Sequence, residues 1–553
     1  MSIIKFVLAF FLTVVISIPA SASQTGIVPS PDTLRKLAYG HEFKTLEAVL
    51  EKLQADVLAK RATYAEQRDV YKVLSVLHPD MIKAVDAWRA EMPDSVHARA
   101  IRARILFYAG WDMRGFSIIR YTYPEALSEM KRMHTEGMAL AQSAFNTRPD
   151  IVPVSDAVIW LEQTVPVVPS WIDRLSGDTP FKRIMRLTPN RRTLQGKLSD
   201  TEPKWGGSFQ QASDLCDTYA PMVKDVEGYT PDICKAEAIY NLDYESEELF
   251  IWAQKVLDKT DNPVLDRARW IDAAVISPLR EGADERRIKY IPALKFRDIK
   301  MAIDFDNLRE REGYEKLLEY PPLAPRVYAI NHKRAVRELE HDPYNYKLLH
   351  VLLTPNIGNN KAEYQLEWPV IEDYNRRLLV LAPFNGEYWK DYAKALATAR
   401  DHNRVAGEGI EQRIEEYYQN AVFYSNYSPE NLYFYSDYSL VKILTDMPLE
   451  GISINGVGGN YRDESSFTPQ EIQRQNKYYL CPFIRTGRLL NAVCETGVRS
   501  QYCGYVSITK LEIESVFNIA SKRGVCEHER YAPIEEILFQ PTSYDWQVSP
   551  MQQ

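Results

Sequence analysis

Apolar residues in the N-terminal half of the chain recur at helical spacing. Leu46, Val49, Leu50, Leu53 and Val57 fall at positions i, i+3, i+4, i+7 and i+11, so they lie on one stripe of an amphipathic helix. The same spacing recurs twice more before residue 90, whereas sustained alternation of apolar and polar residues is nearly absent. The pattern predicts an all-α chain of helices about 10 to 20 residues long, joined by short turns and without a substantial sheet.

Prolines and glycines predict where these helices end. Pro79 separates two apolar stripes, and Pro93 disfavours helix in the residue before it. Asp94 or Ser95 can cap the next helix, which is predicted to end near Gly110. Such a string of helices with short turns is typical of stacked helical hairpins.

The second half contains a weak internal repeat. A Pro-x-Asn tripeptide occurs at 343–345, 383–385 and 429–431, and the spacing of about 40 residues belongs to paired-helix solenoids. Each proline is predicted to end one helix and each asparagine to cap the next. Bulky residues follow six and nine positions after each proline and are expected to face a shared core: Leu349, Leu352, Trp389, Tyr392, Tyr435 and Tyr438. The repeat predicts an irregular tetratricopeptide-like solenoid.

The first 22 residues have the pattern of a secretory signal peptide. Lys5 precedes the apolar run Phe6–Ile18, and the small residues Ala20–Ala22 form a cleavage site. The apolar run is shorter than the roughly 20 residues that a membrane-spanning helix needs. The mature chain is therefore expected to begin near Ser23, in the periplasm or outside the cell, without stable membrane insertion.

Cysteines are expected to form disulfides, because an exported chain with an even number of cysteines encounters an oxidising environment. Cys216 and Cys234 are predicted to pair. The remaining four, Cys481, Cys494, Cys503 and Cys526, contain no CxxC spacing, so zinc binding is not expected, and their three possible connectivities stay open.

Composition changes along the chain divide it into four parts. The signal peptide (1–22) is followed by a helical domain (23–240) and a helical repeat region (241–447). The last part (448–553) begins with a glycine-rich loop and contains the C-terminal cysteines. This disulfide-stapled unit is expected to cap the open end of the solenoid.

The overall charge argues against two classes of partner. The chain of 553 residues has a formal net charge of −8, with both signs interspersed, so nucleic acid and anionic lipid are not expected to bind. A hydrophobic content of 45% is enough for several buried cores.

Three short motifs carry a resemblance to a known family. The segments 88–95, 111–115 and 203–208 combine tryptophan, glycine and proline, and the region from about 34 to 220 resembles the bacterial domain of unknown function 4034. The resemblance implies a helical, tetratricopeptide-like array. It implies no activity.

Two of these motifs contain candidate binding residues. Trp111 and Arg114, just after the predicted helix end at Gly110, can hold an anionic or planar ligand. The alternative is that Trp111 packs between helices while Arg114 binds carbonyls at the helix end. Trp205 has the same two interpretations, as a ligand contact or as a packing residue before a tight turn.

A row of tyrosines is the strongest candidate for a binding surface. Tyr424, Tyr427, Tyr433 and Tyr435 belong to seven tyrosines within 417–438, and rows of aromatic rings can stack on sugars or anchor a peptide. Alternatively, about half of them fill the core and the rest lie at its rim.

Neither a cofactor motif nor a metal motif is recognisable. The nine histidines form no HExxH sequence, and the glycine-rich segment 456–459 lacks the lysine of a phosphate-binding loop. Asp94, Ser95 and His97 suggest a hydrolase fragment, but they are also residues that a helix start requires. We therefore expect no cofactor, no metal and no catalysis.

These observations predict an exported scaffold or adaptor that binds another envelope protein or a peptide. Stacked hairpins offer a long surface for an extended or helical partner. One alternative is a glycan-binding or glycan-active protein that uses an aromatic groove, and another is an immunity or inhibitor protein with an acidic face.

Overall fold

The computed structural model describes residues 28–115, 119–165, 179–203, 206–226, 228–241, 247–258, 335–337, 339–340, 342–353, 366–407, 409–446, 453–454, 457–458, 467–498 and 500–541. The predicted signal peptide and Trp205 lie outside these residues. Within them the chain is helical apart from turns and one pair of two-residue strands, so the predicted all-α class is confirmed.

The N-terminal helices, in chain order, are α1 (Pro31–Tyr39), α2 (Phe43–Leu58), α3 (Tyr64–Leu74), α4 (Pro79–Glu91), α5 (Val96–Arg114), α6 (Pro124–Thr147), α7 (Val152–Glu162), α8 (Pro180–Leu187), α9 (Arg191–Leu198), α10 (Phe209–Tyr219), α11 (Pro231–Asn241) and α12 (Glu247–Asp258). The later helices are α13 (Tyr346–Leu353), α14 (Trp368–Leu381), α15 (Gly386–Asp401), α16 (Ile410–Tyr424), α17 (Pro429–Asp446), α18 (Pro469–Gln475), α19 (Cys481–Glu495), α20 (Val506–Arg523) and α21 (Glu527–Tyr531). No helix in the described part of the chain combines the length and the apolar composition that crossing a bilayer requires.

The chain divides into two compact units. The first comprises Met1–Val76, Asp80–Arg104 and Gly137–Asn262, and the second comprises Leu77–Pro79, Ile105–Glu136 and Pro263–Gln553. Both α5 and α6 contribute residues to each unit.

Side-chain caps explain why several helices begin where they do. The Ser95 hydroxyl accepts a hydrogen bond from the Ala98 amide at 2.9 Å, as predicted for the start of α5. Thr63 and Glu66 form a reciprocal capping box at the start of α3, which satisfies amides that have no partner within the helix.

The predicted apolar stripe on α2 lies in the core of the first unit. Leu46, Leu50, Leu53 and Val57 are buried, whereas Val49 is half-buried at the edge of the stripe. The first disulfide, Cys216–Cys234, joins α10 to α11 of this unit, as predicted.

The predicted end of α5 at Gly110 is wrong. The helix continues through Gly110 to Arg114, and Gly115, with φ of +71°, ends it in the left-handed conformation. A Cβ atom at Gly110 would lie 2.4 Å from Nε2 of His134. The glycine is therefore explained by close packing inside the helix.

The predicted repeat residues pack inside the second unit. Five of the six bulky side chains are buried and Tyr438 is half-buried. Asn345 and Asn385 cap α13 and α15, as predicted. Asn431 does not cap a helix, because α17 already begins at Pro429 and the Ser428 hydroxyl accepts from the Asn431 amide.

The C-terminal helices pack against α17 within the second unit and are held by two disulfides. Cys481 pairs with Cys526 and Cys494 pairs with Cys503, which decides the connectivity that the sequence left open. Helix α18 continues through a π-helical segment, Asn476–Leu480, directly into α19. The predicted glycine-rich loop contains the strands β1 (Ser453–Ile454) and β2 (Val457–Gly458), which pair antiparallel.

Candidate functional site

Trp111 and Arg114 lie in the last turn of α5. The Arg114 guanidinium lies 5.3 Å from the Trp111 ring centroid and donates a hydrogen bond of 3.1 Å to the Gly115 carbonyl. The Trp111 ring packs 5.9 Å from the ring of His134. These contacts correspond to the packing alternative, in which the pair completes the end of the helix.

The tyrosine row is divided between core and rim. Tyr424 and Tyr435 are buried, whereas Tyr427 and Tyr433 are half-buried. The Tyr427 hydroxyl donates to the Phe539 carbonyl at 2.9 Å, so its polar end is occupied within the chain. Tyr433 is the candidate among these four that combines partial exposure with a position beside unusual charged groups.

Those charged groups are two lysines of α15, which lie beside two aromatic residues of α17 and one of the short 3-10 segment Gln501–Tyr505. We name this group the lysine–aromatic face: Lys390, Lys394, Tyr433, Phe434 and Tyr502. The Lys394 ammonium lies 3.3 Å from the centroid of the Phe434 ring. The Tyr433 ring lies 5.4 Å from that of Tyr502. A cation over an aromatic ring is attracted to its π electrons.

The two lysines of this face differ in their partners. Lys390 is buried and ion-pairs with Glu387 and, at 2.7 Å, with Glu430. Burial lowers the pKa of Lys390, but the charges of Glu387, Asp391 and Glu430 together raise it by more than burial lowers it. The net pKa therefore lies above the ordinary value. Lys394 makes neither a hydrogen bond nor an ion pair with any residue that the structure describes.

The Lys394 ammonium loses its proton at a lower pH than an ordinary lysine does. Burial, followed by the nearby Lys390 ammonium, lowers the pKa of Lys394 to about 8. Asp437 lies near this lysine on α17; burial raises the pKa of that carboxyl, and the Lys394 charge lowers it to a smaller extent. Asp391, Glu430 and Glu387 oppose this decrease, so carboxylates lie near the half-buried ammonium. None of the described residues, however, forms an ion pair with it.

A second polar cluster lies in the first unit, around His97. The Tyr71 hydroxyl is hydrogen-bonded to Nδ1 of His97, and Nε2 of His97 lies 3.0 Å from Oε1 of Glu51. Arg148 donates to both carboxylate oxygens of Glu51 at 3.1 Å. The hydrogen bond to His97 is the largest contribution and lowers the pKa of Glu51. Burial raises this pKa, whereas the hydrogen bond to Arg148 lowers it. The net pKa of Glu51 is about 2.

Glu47 extends the cluster to the start of α5. The Ser95 hydroxyl donates to this carboxylate, and Nε1 of Trp88 donates to it at 3.1 Å. Ser95 is buried, so its hydroxyl serves the helix cap and Glu47. The packing interpretation of Ser95 and His97 therefore accounts for their contacts.

The same cluster has the residue types of a metal site. One atom each from Glu47, Glu51 and His97 lie within 4.8 Å of one another. However, both imidazole nitrogens of His97 already have hydrogen-bond partners, and the Arg148 guanidinium forms an ion pair with the Glu51 carboxylate. The contacts fit a hydrogen-bonded network, and we assign no metal to it.

Both polar sites contain residues that the sequence analysis missed. Lys394 and Phe434 are 40 positions apart, and Glu51 and His97 are 46 apart. The repeat relates α15 to α17 as equivalent helices, but its spacing there is 46 residues, so it does not align Lys394 with Phe434. Nothing in the sequence relates Glu51 to His97.

Comparison with known families places the His97 network inside a recognised region. Residues 31–180 match the family described as Domain of unknown function (DUF4034). The match includes the motifs at 88–95 and 111–115, ends before the motif at 203–208, and does not include the predicted repeats. No curated protein matches the chain. The N-terminal part of this protein, residues 31–180, is thus identified as a match to the domain of unknown function 4034.

Proposed function

We propose that this chain is an exported helical-repeat scaffold that binds a segment of another envelope protein or a peptide, without catalysing a reaction. The partner docks on the lysine–aromatic face. Its contacting segment carries a carboxylate for Lys394 and apolar groups for Tyr433 and Phe434.

The observation that carries the proposal is the half-buried ammonium of Lys394, which forms neither an ion pair nor a hydrogen bond with any described residue. Holding a cation in a half-buried position without a directly paired anion is unfavourable, and contact with one ring offsets only part of this cost. A partner carboxylate would form a charge-assisted hydrogen bond there. Partly exposed aromatic rings beside it supply the apolar contact area that protein interfaces favour.

The surrounding helices support a scaffold role. Helices α13 to α17 pack in chain order, each against its neighbours, which is the arrangement of a helical-repeat array. Such arrays bind extended or helical segments along a helix face. The partner-binding face proposed here is formed by α15 and α17, two helices at equivalent positions of the sequence repeat.

Export is the second part of the proposal. The three disulfides fit a protein of an oxidising compartment, either the periplasm or the extracellular space. In this proposal the signal peptide predicted at residues 1–22 directs export and is then cleaved.

Site-directed photo-crosslinking of the full-length chain in its own host tests the binding face. A photoreactive phenylalanine analogue replaces Tyr433, and the crosslinked products are identified by mass spectrometry. We expect a discrete protein or peptide adduct whose yield falls at least tenfold when Lys394→Met is added. The control places the same analogue at Gln412, an exposed position on α16.

Two results would overturn the proposed face. One is an adduct pattern at position 433 that equals the pattern at 412. The other is an adduct at 433 that persists unchanged in the Lys394→Met variant, provided that this variant keeps the wild-type helicity and thermal unfolding midpoint.

A further inference from the structure

Arg104 of α5 is a buried cation in the first unit. Its side chain is 2% exposed. The guanidinium lies 4.6 Å from the ring centroid of Trp160 on α7, and its Nε donates to the Ser75 hydroxyl at 3.3 Å. All three residues lie within the 31–180 region that matches the family.

One nitrogen of this guanidinium lacks a hydrogen-bond partner. Nη1 of Arg104 is fully buried and makes no hydrogen bond. Among the residues that the structure describes, no carboxylate forms an ion pair with Arg104. The nearby Tyr71 cannot serve as a counterion, because burial raises the pKa of its phenol well above the ordinary value.

Arg102, two residues earlier on the same helix, provides a contrast. It is also buried, but its Nε lies 3.0 Å from a carboxylate oxygen of Asp86. The fold therefore supplies an anion for one buried arginine of α5 and none for the other.

This contrast has a physical consequence. Removing a charge from water without pairing it is strongly unfavourable, and a cation–π contact with one indole ring compensates only partly. An arginine fork with unused donors matches the oxygen atoms of a carboxylate or a phosphate.

We propose that Arg104, Ser75 and Trp160 form a binding site for a small oxyanion, a carboxylate or a phosphate. The guanidinium donates to the oxyanion oxygens, and Trp160 holds the guanidinium plane from its other side. The Ser75 hydroxyl accepts from Nε and so fixes the orientation of the guanidinium. Because Arg104 is only 2% exposed, the side chains around it must move apart to admit the ligand. This site is independent of the lysine–aromatic face, which belongs to the second unit.

Binding is tested on the full-length, disulfide-bonded protein with two probes, inorganic phosphate and acetate. Each is titrated at constant ionic strength against a sodium chloride reference, by calorimetry and by thermal unfolding. We expect saturable binding of at least one probe and an unfolding midpoint that rises with its concentration. Comparing the two probes distinguishes a phosphate site from a carboxylate site.

Variants locate the site. Arg104→Met is expected to weaken binding at least tenfold and to remove the rise of the unfolding midpoint, while retaining wild-type helicity. Arg102→Met is the matched control, because it removes the other buried cation of α5 and should keep the response to the probe. If Arg104→Met does not fold, Arg104→Lys is used, and the loss of bidentate hydrogen bonding should still weaken binding.

The proposal is overturned if neither oxyanion binds saturably to the wild-type protein. It is also overturned if the Arg104 variant that folds responds to the probe in the same way as the wild type. Neither result depends on crosslinking at Tyr433, so this test and the test of the scaffold function can fail separately.

Discussion

The ammonium of Lys394 lies 3.3 Å from the centroid of the Phe434 ring, at a contact between α15 and α17. One helical turn earlier, Lys390 makes two ion pairs with glutamates. The two lysines of this helix therefore have different charge environments, and among the described residues Lys394 has no ion-pair partner.

The first prediction concerns the protonation of Lys394. Its pKa in the folded chain is about 8, below the ordinary value of 10.5. Between these pH values the unfolded chain binds a proton that the folded chain has released, so the Lys394 contribution to stability rises with pH. The free energy of unfolding of the wild type, relative to that of Lys394→Met, should increase from pH 8 to 10.5. A constant difference would contradict the lowered pKa.

The second prediction concerns Glu415 on α16. Burial raises the pKa of its carboxyl to about 7, although Lys477, Gln419 and Arg485 lower it. Because the folded pKa exceeds the ordinary value of 4.5, the stabilising contribution is present below pH 4.5 and is lost as pH rises through 7. Glu415→Gln should raise the free energy of unfolding at pH 8 by about 1 to 3 kcal/mol. It should have little effect at pH 4, and urea unfolding at both pH values measures this.

The third prediction concerns Glu51. Its pKa of about 2 lies below the ordinary 4.5, so its stabilising contribution is present above pH 4.5 and is lost as pH falls towards 2. The side chain is 46% exposed, so solvent screening limits the effect to about 1 kcal/mol. Glu51→Gln should destabilise the protein at pH 7 and match the wild type near pH 2. Glu66→Gln, which removes a carboxylate from an exposed capping box, is the control. It tests whether the loss of any carboxylate gives the same dependence of the free energy of unfolding on pH.

The fourth prediction concerns Gly386 at the start of α15. A Cβ atom there would lie 2.5 Å from the Ala421 carbonyl oxygen and 2.7 Å from the Ser425 amide of the adjacent helix segment. Gly386→Ala should therefore lower the free energy of unfolding by about 2 kcal/mol or more, despite the higher helix propensity of alanine.

Gly196→Ala is the comparison for this substitution. Gly196 is also helical, and its Cβ would meet only a side-chain methyl of Ile159 at 3.3 Å. Its effect should stay within about 1 kcal/mol. Equal effects of the two substitutions in chemical denaturation would argue against a close approach of α15 and α16.

The fifth prediction compares the C-terminal disulfides. Cys481–Cys526 closes a loop of 45 residues in separation and Cys494–Cys503 closes one of 9. In the chain-entropy model the longer loop stabilises by about 4 kcal/mol and the shorter by about 3 kcal/mol. The double serine variant of the first pair should lose more stability, measured by urea unfolding, than that of the second. The reverse order would indicate that strain or residual structure dominates.

The sequence predicted the locations of helices more accurately than the residues at which they end. The stripe from Leu46 to Val57 indicated a helix because burial of one face imposes a periodicity that the sequence alone displays. Gly110 misled the prediction because glycine marks helix ends in isolation. In the folded chain it instead makes room for His134, a residue 24 positions away.

The candidate sites depended on tertiary packing in the same way. Tyr433 was predicted from its place in a dense tyrosine row, but Lys394 gains its unusual environment only when α15 packs against α17. The unpaired state of Arg104 is likewise invisible in the sequence, because the absence of a counterion depends on every side chain around it.

The sequence by itself determined the helical class, the first disulfide and the repeat spacing, because these follow from local periodicity and from short separations along the chain. The tertiary structure decided which of the C-terminal cysteines pair, which tyrosines are buried and which cations lack an anion. Those properties depend on distances between residues far apart in the chain, and folding alone sets these distances.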